Sequence, residues 1–307
     1  MTKKTSGATE QQNPRTRGLD TKPTPEILRA ILREEAIVTK AVAGAIPAIA
    51  QAVDAIVWGL QHGGRLIYVG AGTSGRIAML DAAELPPTFG IPSRLVHAVI
   101  AGGRRALTRA IEGTEDNRAQ GRRDLAARRL TRNDIVVGIS ASGSTPYVLG
   151  ALAFARRREA ATIGITSNLR TPIARLARIS IITPTGPEAI TGSTRMKAGT
   201  AQKIVLNMLS TAAMIRMGRI YDNCMIGMAL TNRKLRARGL RILAEVSGAS
   251  VAESALALRR SGHNLGVALL MLKKGISARE AQCRLHAANG IVRAALALKT
   301  KSANGAL

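Results

Sequence analysis

Two short loops carry the densest run of chemistry-bearing residues in this chain. The first reads Gly70-Ala71-Gly72-Thr73-Ser74-Gly75-Arg76 and the second Ser140-Ala141-Ser142-Gly143-Ser144-Thr145-Pro146. Each follows a short apolar run and opens a helix-length segment. Backbone N–H groups at a helix start, the helix dipole and neighbouring hydroxyls together favour a bound phosphate. The first loop also spells G-x-G-x-x-G, but a dinucleotide fold needs an acid about 20 positions on, at the end of the next strand. That strand ends Val99-Ile100-Ala101-Gly102-Gly103, with no acid. A P-loop is excluded because Arg76-Ile77 stand where Lys-Ser/Thr is required. For the second loop an N-cap and turn, with Pro146 in the first helical turn, is the plain alternative.

Carboxylates near these loops are the next candidates. Asp81-Ala82-Ala83-Glu84-Leu85-Pro86-Pro87 closes the helix that the first loop opens, and Glu112-Gly113-Thr114-Glu115-Asp116-Asn117 follows the second strand. Any one acid there reads as a solvated helix cap. However, only 19 residues of the chain are Asp or Glu, and three of them cluster at 112–116. Gly113 splits that cluster, as expected where a backbone bend aims a side chain. A last dense segment, Thr185–Glu188 with Thr191–Lys203, contains Arg195, Lys197 and Lys203 among hydroxyls and reads as a further polar wall.

The elements that must position these residues follow from the apolar rhythm. A polar arm over 1–24 precedes two helical patterns, 25–39 and 41–61. Strand-length runs rich in Val and Ile then appear at 65–70, 94–99, 134–139, 161–166 and 178–183. Helix-length segments at 75–84, 104–129 (read as two helices), 145–158 and 171–177 separate them. Strands alternating with helices predict an α/β fold with a five-stranded parallel, doubly wound, flavodoxin-like sheet. Beyond Gly192 the pattern is helical, opening with a long apolar helix over 195–217. The expected division is an N-terminal arm with flanking helices (1–62), the sheet domain (63–220) and a small C-terminal helical domain (221–307). In strand order 2-1-3-4-5, strands 1 and 3 are neighbours, so both hydroxyl loops face one ligand at the switch point.

Composition narrows the classes. The 45 Lys and Arg against 19 Asp and Glu give a net charge of +26. Such a balance suits anionic partners, but no nucleic-acid recognition module accompanies it, and 2% aromatics cannot build a base-stacking platform. The charge reads mainly as solvated Arg-rich helix faces. Two cysteines, Cys224 and Cys283, form no disulfide framework, and four scattered histidines show no ligand spacing. No metal site is expected. Residues 41–60 are the best candidate for a membrane span, but Pro47, Gln51 and Asp54 mark an amphipathic helix instead. Met1–Gly18 lacks the apolar core of a signal peptide, so a cytoplasmic location is expected.

Taken together, LIYVGAGTSGRIAMLDAAELPPTFG, AIEGTEDN, DIVVGISASGSTPYV and TGPEAITGSTRMKAGTAQKIVLNMLSTAAMI resemble the sugar isomerase (SIS) superfamily. Within it they resemble the N-acetylmuramic acid 6-phosphate etherases, and the likeness extends over nearly the whole chain. The resemblance implies a phosphorylated amino-sugar substrate held at Gly72, Thr73, Ser74, Ser140, Ser142 and Gly143. It maps the family's proton donor to Glu84 and the other active-site acid to Glu115. It also implies a homodimer with no metal and no nucleotide cofactor. Ser144 stands where the family often carries Arg, and Cys224 and Gly227 where it tends to have Leu and Asp.

The implied reaction is an elimination. Opening of the sugar ring exposes an aldehyde at C1, which acidifies the C2 proton and places the lactyl ether at C3 β to a carbonyl. One carboxylate takes the C2 proton, a carboxylic acid protonates the leaving oxygen, and water then adds. Glu84 is the expected acid and Glu115 the expected base. Rival readings are a non-catalytic sugar-phosphate sensor, as in the related glucokinase regulatory protein, and an aldose–ketose isomerase. Retention of both glutamates argues against the sensor, and sugar interconversion without lactate release would mark the isomerase.

Overall fold

In the computed structural model, which describes residues 7–298, the sheet is five-stranded and wholly parallel, in the order β2-β1-β3-β4-β5. Three helices precede it: α1 (Thr24–Glu35), α2 (Ile37–Gly44) and α3 (Ile46–Gln61). The sheet region then runs β1 (Leu66–Gly70), α4 (Gly72–Phe89), β2 (Val96–Ile100), α5 (Arg118–Ala126), β3 (Ile135–Ile139), α6 (Pro146–Arg157), β4 (Ala161–Thr166), α7 (Pro172–Leu176), β5 (Ile179–Ile182) and α8 (Lys197–Arg216). The remainder is helical: α9 (Arg233–Ser247), α10 (Val251–Arg260), α11 (Leu265–Lys274), α12 (Ala278–Ala287) and α13 (Val292–Ala297).

The chain forms two compact units. Among the described residues, one comprises residues 7–83 and 93–213, and the other Glu84–Pro92 with residues 214–298. The N-terminal arm and helices therefore belong to the same unit as the sheet. β1 and β3 are buried along their whole length, as strands covered on both faces must be. Ile67, Val69 and Val136 pack with Tyr147, Val148, Ala151 and Leu152 of α6. On the alternate positions Tyr68 donates to Asp81 Oδ2 of α4 at 2.9 Å. Asp81 also accepts from Asn207 (2.8 Å) and Ser210 (3.1 Å) of α8, so one buried carboxylate ties strand, α4 and α8 together. Burial raises the Asp81 pKa against those three hydrogen bonds. The second unit has its own core, centred on Leu243, Leu265, Ala268, Leu269, Leu270 and Ala281.

Three local expectations are corrected. The 25–61 region makes three helices, because α1 ends at Glu35 and Pro47 opens a new first turn in α3. α4 does not stop before Pro86-Pro87 but runs to Phe89. A proline within a helix removes one hydrogen bond and clashes with the preceding turn; here the added turn buries Phe89 as Leu85 is buried one turn earlier. The 104–129 segment contains one α-helix, α5, preceded by two 3-10 turns at Gly103–Leu107 and Thr114–Asp116. No single described helix is long and apolar enough to cross a membrane. The apolar side of α3 (Ile49, Val53, Ile56, Leu60) is buried within the protein.

The polar arm is stapled to the sheet unit by an ionic cluster. Glu34 accepts from Asn13 (2.8 Å), Arg15 Nη2 (2.9 Å) and Lys197 Nζ (2.6 Å). Lys197 is fully buried and Glu34 nearly so. The Arg15 bonds, with those from Lys197 and Asn13, outweigh desolvation and hold the Glu34 carboxyl down at about 2. Glu34→Ala strands the Lys197 ammonium and is expected to cost about 3–5 kcal/mol in urea unfolding, whereas replacing both partners by apolar residues costs far less. Because the folded pKa lies below the usual 4.5, this stabilisation is complete above pH 4.5 and is lost as pH falls towards 2. An acid-unfolding profile that Glu34→Ala leaves unchanged would refute the assignment.

Candidate active site

The crossing point of the sheet forms as the strand order requires. β1 pairs with both β2 and β3, so the loops that leave β1 and β3 stand side by side. They line one cavity of about 340 Å³, whose walls include Gly72, Thr73, Ser74, Ser140, Ser142, Ser144 and Thr145. In α4, Gly72, Thr73 and Ser74 occupy the first turn, where backbone N–H groups have no intrahelical acceptor. α6 opens with Pro146 at its first position and no side-chain cap on its N-cap residue Thr145. Both helix starts thus offer unpaired donors and positive dipole ends to an anion.

The second loop is held by its own hydroxyls. Ser140 Oγ lies 2.7 Å from Thr145 Oγ1 and 3.2 Å from Ser142 Oγ, and accepts from the Gly143 N–H at 3.0 Å. Ser144 Oγ donates to Ser142 Oγ at 3.1 Å. Gly143 does not itself line the cavity. Its place is structural: φ is +71°, and a Cβ there would sit 2.5 Å from Thr166 Oγ1 and Thr171 Cβ. Only glycine turns the loop so tightly against the β4–α7 connection.

The acidic loop resolves as its glycine suggested. Gly113 takes φ +73°, and the acids on either side of that bend face different spaces. Glu115 and Asp116 line the serine-loop cavity. Glu112 faces a larger cavity of about 880 Å³ beside β2, with Asp124 and Arg128. Glu84 does not line the serine-loop cavity; it is exposed on α4, at the start of the Glu84–Pro92 segment of the second unit. Among the described residues, no group of three His, Cys, Asp or Glu side chains could hold a metal ion.

The segment read as a polar wall divides between two tasks. Gly192 and Thr194 line the cavity. Glu188 and Lys197 are instead buried and structural: Glu188 accepts from the Lys197 and Ala198 N–H groups at 3.0 and 2.9 Å, capping α8. Desolvation raises the Glu188 pKa against those bonds. Sequence reasoning missed Glu10, which also lines the cavity. It is placed by its buried neighbour Thr9, whose N–H donates to Asn168 Oδ1 at 3.2 Å while Asn168 Nδ2 donates back to Thr9 Oγ1 at 2.9 Å. A lone glutamate in a polar arm, whose neighbour Thr9 is anchored 159 positions away, gives no sequence signal of this role.

Residues 48–156 match the family described as the glucokinase regulatory protein N-terminal SIS domain, and residues 119–212 match the SIS domain family. The chain is similar to the N-acetylmuramic acid 6-phosphate etherase of Serratia proteamaculans (strain 568), at 50% identity over 287 residues, covering 94% of this chain and 97% of that one. It is likewise 49% identical over 288 residues to the N-acetylmuramic acid 6-phosphate etherase of Vibrio vulnificus (strain YJ016), covering 94% of this chain and 96% of that one. Among solved structures, a phosphoheptose isomerase from Francisella tularensis superposes with a TM-score of 0.51 at 22% identity, over 62% of this chain and 98% of that chain. That likeness is one of fold alone.

Proposed function

The chain belongs to the N-acetylmuramic acid 6-phosphate etherases, and from that membership we propose how its residues divide the reaction. The protein is an enzyme that cleaves the D-lactyl ether of N-acetylmuramic acid 6-phosphate, a carbon–oxygen lyase reaction giving N-acetylglucosamine 6-phosphate and D-lactate. The observation that carries the site assignment is the convergence of both hydroxyl loops and Glu115 on one cavity. The 6-phosphate docks on Thr73, Ser74, Ser140 and Ser142 with the first-turn N–H groups of α4. Anchoring the remote end of the sugar fixes C2 and C3 for reaction. Glu115 takes the C2 proton from the open-chain aldehyde. Glu84, assigned from the DAAELPPT match alone and standing outside the serine-loop cavity of its own chain, is the group we assign to protonate the departing lactyl oxygen. Glu115 then returns a proton to C2 while water supplies hydroxyl to C3 and its other proton to Glu84, which restores both groups. Glu10 and Asp116 face the sugar as acceptors for its hydroxyl and amide donors.

Incubation with N-acetylmuramic acid 6-phosphate and enzymatic detection of D-lactate tests the reaction. Sugar interconversion without lactate would indicate an isomerase, and binding without turnover a sensor. We assign the protein to amino-sugar catabolism and cell-wall recycling, with the cytoplasm as its expected location. A homodimer is supported by exposed apolar side chains on the N-terminal helices, Leu28 and Leu32 one turn apart on α1 with Ile46 and Trp58 on α3. The basic surface is not a nucleic-acid site. Duplex DNA is expected to bind weakly and with steep salt dependence; tight, sequence-selective binding in a mobility-shift titration would overturn this.

A further inference from the structure

The C-terminal unit holds a cavity of its own, of about 330 Å³, that shares no residue with the serine-loop cavity. Six glycines line it: Gly90, Gly218, Gly227, Gly262, Gly266 and Gly290. At three of them, Gly90, Gly218 and Gly227, the backbone is packed too closely for a side chain. A Cβ on Gly90 would lie 2.0 Å from Gly227 O, and one on Gly218 would lie 2.9 Å from Ile291 Cα. These glycines let stretches of main chain in the wall pack directly against one another.

Arg219 stands in this wall. Its Nε is sealed from solvent with no hydrogen-bond partner, and among the described residues Arg219 enters no ion pair. Burial lowers the pKa of its guanidinium, with no compensating partner. No Asp or Glu lines the cavity. A half-buried cation without a counter-charge is unfavourable until an anion joins it. A second set of donors meets it there. α11 is ten residues long and starts at the cavity, where Asn264 caps only the Val267 N–H, at 3.0 Å. The Leu265 and Gly266 N–H groups, both in the lining, are left without an intrahelical acceptor. The positive end of the α11 dipole and Arg219 thus border one small space with no carboxylate in its lining.

We propose that this cavity is a second anion site, taking one phosphate or carboxylate group between the Arg219 guanidinium and the N-terminus of α11. The two chemistries share the same recognition, a planar or tetrahedral oxyanion accepting from a guanidinium fork and main-chain amides. The site does not depend on which reaction the serine loops serve.

The full chain carrying Ser142→Asp, which sets a negative charge in the first phosphate site, is titrated calorimetrically with inorganic phosphate and separately with D-lactate. At least one titration is expected to show a site that Arg219→Gln, on the same background, weakens about 10–100-fold. A phosphate response alone assigns a phosphoryl ligand, a lactate response alone a carboxylate ligand, and both assign a general oxyanion site. Should Arg219→Gln fail to fold, the unsubstituted chain provides the test. The Arg219 Nε–H resonance, identified by its disappearance in Arg219→Lys, shifts with the same midpoint as the heat. An absence of binding in both titrations, or an Nε–H resonance that neither anion moves, overturns the proposal.

Discussion

Ser142→Asp is expected to raise KM for N-acetylmuramic acid 6-phosphate by about 10²–10³-fold, because juxtaposed like charges cost several kcal/mol. The substitution adds little volume, and Ser142 is only partly buried, so the fold should persist. Its hydroxyl lies within the hydrogen-bonded set of Ser140 and Ser144, which pre-positions all three around one space. Ser74→Asp, across the same cavity in the first turn of α4, should act in the same direction. Ser142→Ala removes one hydrogen bond to a charged group without adding repulsion, and its effect should be smaller, about 10–100-fold. The ordering matters more than any single value. If both Asp variants keep the native KM in steady-state lactate release, the phosphate is bound elsewhere.

The parts of this site that could be read from the sequence are those fixed by local geometry. A run such as LIYVG followed by small and hydroxylated residues encodes a buried strand and a helix start at once, and parallel strand order brings two such loops together. The Gly113 bend was legible for the same reason, since a glycine amid three acids has a conformational meaning independent of the rest of the fold. What could not be read depends on distant partners. Lys197 resembled a cavity wall because a basic residue among hydroxyls at a helix start usually points to a ligand, yet it is consumed by Glu34, 163 positions away. Glu10 lay in an arm that composition marks as polar, and only its neighbour's bonds to Asn168 bring it to the cavity. The persistence of α4 through Pro86-Pro87 is a tertiary effect, with Leu85 and Phe89 both buried.

Glu84→Gln is expected to slow lactate release by about 10²–10⁴-fold, the usual worth of general acid–base catalysis, while leaving substrate binding nearly intact. The amide preserves shape but cannot donate a proton to the lactyl oxygen. Glu84 is exposed and lines no wall of the serine-loop cavity, so its replacement leaves the phosphate anchors untouched. Glu115→Gln should cause a loss of similar size for a different reason. Glu115 shares the cavity with the anchors, where the bend at Gly113 directs its side of the loop, and it is the group expected to take the C2 proton. Solvent deuterium exchange at C2 separates these roles, because proton removal precedes loss of lactate. A substrate analogue that keeps the aldehyde and phosphate but lacks the lactyl group should exchange C2 hydrogen in Glu84→Gln and fail to exchange in Glu115→Gln. The reverse pattern would exchange the acid and the base. Native exchange and native lactate release in both variants would place the proton transfers on other groups, with Glu10 and Asp116 as the remaining carboxylates lining the cavity.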